Sequence, residues 1–286
     1  MSDARVHDVR FTRFEGEVEG EAGAVLSLAR WSAFRSMGAH RSWKVKLVPI
    51  ALILIAFAPA IVVLGLRALF SAQVDINTER ALPYSDYGGM IGIVILLFAA
   101  VTTPELLCPD RRDRVLTLYF STALTRSQYV FGKVLAGVVP LLVVTLLPVW
   151  FLYLGNVVFA VHPVGYVRNH GLDLARITAG GITVALFFGL AGLAIASLTS
   201  RRAWAVGGYL AFIIIPTIIG GSLGEGLKQP HLRLLGFSVA PIHTVESLYP
   251  NFDGQGVSGL AWGADSVAVM VVSLAVLIWR YRAVEV

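Results

Sequence analysis

Three groups of residues in this sequence could do chemistry. Gly220-Gly221-Ser222-Leu223-Gly224 fits GxSxG, the turn that presents a nucleophilic serine for acyl transfer. That chemistry needs a strand-to-helix turn and a His and acidic partner, for which His231 and His243 are the nearest candidates. Here the pentapeptide closes an apolar run, where glycine serves close helix packing instead. Four of the six histidines, His162, His170, His231 and His243, fall in the expected outer segments and could ligate an external metal. Their spacings match no ligand pattern, so they read as surface histidines and no metal is expected. Gly132-Lys133 is followed by Val134 and lacks the earlier glycine of GxxxxGK[ST], so no phosphate-binding loop forms there. HExxH and CxxC are also absent. No catalytic residue, no metal and no cofactor is expected in this chain.

The elements that would position such groups are membrane spans. Of 286 residues, 56% are hydrophobic and 14% charged, with mean hydropathy +0.74. Soluble domains carry about 25% charged residues, so an all-α membrane protein is expected. A bilayer core takes about 20 apolar residues per helix. Six transmembrane helices follow, over about 47–70, 88–107, 134–161, 177–198, 203–223 and 260–279. A seventh apolar patch, Leu234 to Ile242, is too short to span and suits a helix or loop at the membrane surface. The single cysteine, Cys108, excludes an intramolecular disulfide.

Lysine and arginine orient the spans. With both termini in the cytoplasm, 17 of the 23 basic residues lie inside and 6 outside. The net charge of +5 is thereby an orientation signal, and no nucleic-acid partner is implied. The first 46 residues are polar and mixed in charge, which speaks against a cleavable signal peptide. Residues 1–23 are acidic and read as a flexible cytoplasmic tail. Residues 24–46 read as an interfacial helix leading into the first span, and a helical cytosolic tail is the blander reading. Val25, Leu28, Ala29 and Trp31 share one arc of that helix, while Phe34 and Arg35 break the pattern. The spans are taken within 47–280, and residues 281–286 form a second cytoplasmic tail. The spans carry almost no charge. Glu105 lies at the inner end of the second and Asp265 near the outer end of the sixth. An ion-coupled carrier places ionisable groups at mid-membrane, so an ion gradient is not the expected energy source.

One island interrupts the apolar pattern, "CPDRRDRVLTLYFSTALTRSQYVFGK", Cys108 to Lys133. Its charges would hold the inner ends of the second and third spans, with Arg126 and Lys133 as headgroup anchors. Leu116, Leu118, Tyr119 and Phe120 are too apolar for a free tether. Either they pack on lipid beside snorkelling arginines, or they dock a partner protein.

The stretch resembles the membrane subunits of ABC-2 type ABC transporters. The likeness runs through Asp110-Arg111-Arg112, then Val115-Leu116-Thr117-Leu118-Tyr119, then Thr122-Ala123-Leu124-Thr125-Arg126, then Val130-Phe131-Gly132-Lys133. It departs from that family at Ala123, where proline is usual, and at Asp113-Arg114. The layout of interfacial helix, six spans, inner loop and long outer segment agrees as well. The resemblance implies a permease subunit in a bacterial inner membrane. It would pair with a second permease copy or homologue and with separate ABC ATPase subunits that carry ATP and Mg. Export is the usual direction. A cytoplasmic coupling helix would use Asp110, Arg111, Arg112, Arg114, Leu116, Leu118, Tyr119, Phe120 and Arg126. The interfacial helix would use Leu28, Trp31 and Phe34. An extracellular re-entrant segment between spans five and six would gate the exit with Leu234, Leu235, Phe237 and Ile242. A membrane-embedded hydrolase using Ser222, and a non-transporting six-span assembly or sensor protein, remain as other readings.

Overall fold

A computed structural model describes residues 20–39, 43–70, 82–115, 119, 124–250 and 252–282. Among these the protein is all helical and has no strand, and six helices are long and apolar enough to cross a membrane. In chain order these are α1 (Glu21–Ser36), α2 (Trp43–Phe70), α3 (Tyr87–Thr102), α4 (Pro104–Arg112), α5 (Arg126–Thr145) and α6 (Leu147–Val158). Then come α7 (Pro163–Asn169), α8 (Gly171–Leu198), α9 (Arg202–Gly226), α10 (Ala240–Glu246) and α11 (Gly259–Arg282). A single 3-10 segment, Pro230–Leu235, precedes α10.

The second and third spans are each two helices end to end. Thr103 separates α3 from α4, and Pro104 lacks the N–H that would continue the ladder. Thr102 and Thr103 turn their hydroxyls back to the carbonyls of Phe98 and Ala99, both at 2.8 Å. Leu146 separates α5 from α6 just before Pro148. The most apolar windows of the second and fourth spans are each 72% buried, against 22% for the first and fifth and 28% for the sixth. The second and fourth spans therefore form the centre, and the first, fifth and sixth leave most of their sides uncovered by the rest of the chain.

Glycines set how closely the centre packs. A Cβ on Gly181 would stand 2.9 Å from a methyl of Leu146, and one on Gly189 would stand 3.2 Å from Leu141. These two glycines let the fourth span lie close against the third.

Several boundaries differ from the sequence reading. The third span begins at Arg126, eight residues before the expected Val134. The cause is a capping box. The Thr125 hydroxyl accepts from the Gln128 N–H, and the Gln128 side chain accepts from the Thr125 N–H. The second span runs on to Arg112 rather than ending at Leu107. The charged island is therefore half helix, and the connection proper is shorter than 108–133. The N-terminal helix starts at Glu21 and ends at Ser36, ahead of Gly38, whose φ is +81°. Trp43 belongs to α2.

Candidate functional site

At the end of the bundle where α4 stops and α5 starts, three elements meet around one carboxylate. Asp110, near the end of α4, has no exposed surface. Its Oδ2 accepts from Lys133 Nζ at 2.6 Å and from Tyr129 Oη at 2.9 Å. Its Oδ1 accepts from Arg35 Nη2 at 2.7 Å. Lys133 Nζ also donates to Ser32 Oγ at 2.9 Å.

Helical spacing explains the convergence. Tyr129 and Lys133 are four apart on α5, and Ser32 and Arg35 are three apart on α1, so each pair shares a face. The α1 face that packs inward is Val25, Leu28, Ala29, Ser32, Ala33 and Ser36. Gly132 lets that face come close. A Cβ there would stand 3.1 Å from Leu28 Cδ2 and 3.4 Å from the Val25 carbonyl oxygen.

Burying charges is costly unless they are paired and their remaining bonds are made. Here the carboxylate has three donors and the ammonium two acceptors, so that pair is satisfied, while Arg35 Nε is buried without a hydrogen-bond partner among the described residues. It carries one negative and two positive charges, and the second cation, Arg35, is the more exposed one. Burial disfavours the Arg35 charge, and the Asp110 carboxylate more than offsets it, holding the guanidinium above its ordinary value. Tyr119 closes one side. Its ring lies 5.6 Å from that of Tyr129, and Lys133 Nζ sits 5.9 Å from its centroid. Burial, then the Asp110 charge, pushes the Tyr119 phenol up.

Neighbouring charges at this end are paired too. Glu105, 3% exposed, accepts from Arg202 at the start of α9. Arg111 donates to the Ser197 carbonyl at the end of α8. The second, third, fourth and fifth spans and α1 are thus joined by polar contacts at one end.

The predicted residues divide accordingly. Asp110 and Arg111 bond within the bundle. Arg112 pairs with Asp113 at 2.9 Å on the surface, and Arg114 is exposed with φ at +52°. Arg126 donates to the Arg282 carbonyl at 2.9 Å. Leu116, Leu118 and Phe120 lie outside the described residues. Leu28 is buried, whereas Trp31 and Phe34 are 60% and 43% exposed. Trp31 does not share the packed face with Leu28, because α1 buries positions 25, 28, 29, 32, 33 and 36 instead. Lys133 is not a headgroup anchor. It lies two turns inside α5, 1% exposed, and its charge is used by Asp110.

The opposite end holds the predicted gate residues, in two places. Leu235 packs on Gly220 of α9, where a Cβ would come within 2.8 Å of it, and Phe237 stacks on Phe212 at 5.2 Å. Leu234 packs against the buried cluster of Ala240, Val257 and Trp262. Ile242 is buried against the second span, 2.9 Å from the position of a Gly92 Cβ. Val245 stands 2.6 Å from the position of a Gly180 Cβ on α8. Together they cap a cavity of about 40 Å³ among Tyr87, Ile91, Thr145 and Tyr249. Burial, then Asp173, pushes the Tyr249 phenol up.

Ser222 is exposed within α9, a continuous helix from Arg202 to Gly226, so the strand-to-helix turn of a nucleophile is absent there. His170 and His243 each face a carboxylate three residues on, Asp173 at 3.0 Å and Glu246 at 2.6 Å.

No family model matches the chain, and no curated protein matches it.

Proposed function

We propose that this chain is the membrane-spanning subunit of an ATP-driven exporter of the ABC-2 type. It would work with separate ATPase subunits and a second permease subunit, with both termini in the cytoplasm of a bacterial inner membrane. The observation that carries this reading is the buried Asp110 cluster. It fastens α1 to α4 and α5 on both sides of the connection that includes Tyr119. A subunit without a phosphate-binding loop must receive work from another chain, and a push on that connection would meet a block already tied to four spans. Leu116 to Phe120 would meet the ATPase as the coupling segment. The 3-10 segment and α10 would be the re-entrant gate, with Ile242 and Val245 closing the path among the central spans. Mostly apolar walls suit an apolar or amphipathic cargo.

The test is co-purification of the tagged chain from a bacterial membrane with a P-loop ATPase, followed by ATP-dependent transport in proteoliposomes. Leu116→Asp puts a charge where a docking face would have to bury it. The expected result is loss of ATPase association with the membrane fold kept. Association and transport that survive Leu116→Asp would refute the coupling assignment. ATPase association without any vectorial movement would favour an assembly or sensor role.

A further inference from the structure

On the lipid-facing side, at the Asp110 end, a groove of about 700 Å³ runs between the third, fourth and sixth spans. Its floor is apolar, with Val130, Val134, Leu186 and Leu190 among its lining residues. Its flanks face lipid, since Phe131 is 59% exposed and Leu274 and Ile278 are each 37% exposed. Its mouth is different. Arg126 and Arg282 stand there with Ser127, the two arginines linked through the Arg126 bond to the Arg282 carbonyl. Neither guanidinium has an ion pair among the described residues, and Gln128, which holds Glu21, does not line the groove. Arg126 and Ser127 also open α5, so the positive end of a 20-residue helix points toward the mouth.

We infer that this groove is a binding site for one anionic phospholipid of the adjacent leaflet. The phosphate would sit between Arg126 and Arg282 at the start of α5, and an acyl chain would lie along Val130, Val134 and Leu190. The charge pattern selects this occupant. Two guanidiniums without an ion pair among the described residues, together with a helix N-terminus, suit a phosphate at headgroup depth. The apolar trough runs from there toward the bilayer centre, about 12 Å along α5 from Arg126 to Val134. A zwitterionic lipid would bring a cation to the same arginines and gain less. The inference needs only the membrane assignment, so it stands or falls apart from the ABC-2 reading.

Native mass spectrometry of the purified full chain, in detergent with equal phosphatidylglycerol and phosphatidylcholine, tests it. One phosphatidylglycerol is expected to be retained about tenfold over phosphatidylcholine. Arg126→Gln with Arg282→Gln should abolish the preference, while Arg126→Lys with Arg282→Lys should keep most of it. Leu190→Trp, which fills the trough and leaves the arginines, should displace the lipid. Equal retention of the two lipids, or a preference that survives the double glutamine variant, overturns the site. Displacement of the lipid by millimolar inorganic phosphate would show a headgroup-only anion site and overturn the acyl trough. A chain dimer lost on Leu190→Trp, with lipid unaffected, would assign the groove to a second copy instead.

Discussion

Asp110 and Lys133 belong to different spans, yet their charged atoms lie 2.6 Å apart and neither side chain is more than 2% exposed. Removing one partner of such a pair leaves the other buried without its countercharge, at a cost of about 3–5 kcal/mol. Asp110→Asn strands both Lys133 and Arg35 and should be the most damaging single change at this end. Lys133→Met leaves the carboxylate with Arg35 and Tyr129 and should cost less. Asp110→Leu combined with Lys133→Met removes both charges and should recover part of the loss. Thermal unfolding in detergent reads the order. A double variant less stable than Asp110→Asn would mean that the pair acts through something other than mutual compensation.

Gly132 is the second prediction. Its missing side chain lets α1 lie against α5, with Leu28 and Val25 in contact range. Gly132→Ala gains about 1 kcal/mol of helix propensity and asks Leu28 to yield by a few tenths of an ångström, so the net change should stay within about 1 kcal/mol. Gly132→Leu cannot be accommodated. It should push α1 off, weaken the Arg35 and Ser32 contacts, and make the segment before Trp43 more open to protease. Equal protease resistance in Gly132→Leu and the natural chain would contradict this seating.

The capping box explains why the sequence reading placed these residues too far out. Thr125-Arg126-Ser127-Gln128 carries the S/T-x-x-E/Q signature, which fixes a helix start at Arg126. Read as a turn, it left Lys133 at the membrane boundary. Read as a cap, it puts Lys133 two turns inside, where a lysine needs a carboxylate, and Asp110 is one of the acidic residues, with Glu105 and Asp113, at the matching end of the previous span. The six spans themselves were legible, because about 20 apolar residues in a row leave few alternatives. Arg35 was not. Its role depends on which face of α1 packs inward, and a helix with Trp31 and Phe34 on its exposed side has no polar face to mark the other. The division of Leu235 and Phe237 from Ile242 was equally hidden, since it rests on glycines of distant spans.

The serine pentapeptide gives a prediction of no effect. Ser222 is exposed on the last turns of α9 and faces no strand-to-helix corner. Ser222→Ala should leave thermal stability, ATPase association and transport unchanged within error. A selective loss of activity at constant stability would revive the hydrolase reading.

At the far end, two glycines hold α10 in place. Ile242 fits where Gly92 has no side chain, and Val245 fits where Gly180 has none. Gly180→Val would bring a branched side chain onto Val245, and small-to-large changes in packed sites cost about 1–3 kcal/mol. The helix can yield outward, so the expected result is displacement of α10 and an opening of the 40 Å³ cavity beneath it. If α10 gates a path, Gly180→Val should raise leak of an apolar dye from proteoliposomes without ATP, while ATPase association at the opposite end is kept. Ile242→Ala removes the same plug without adding bulk and should raise leak as well, by leaving a void rather than a clash. Unchanged leak in both variants, with the fold intact, would assign α10 to packing alone.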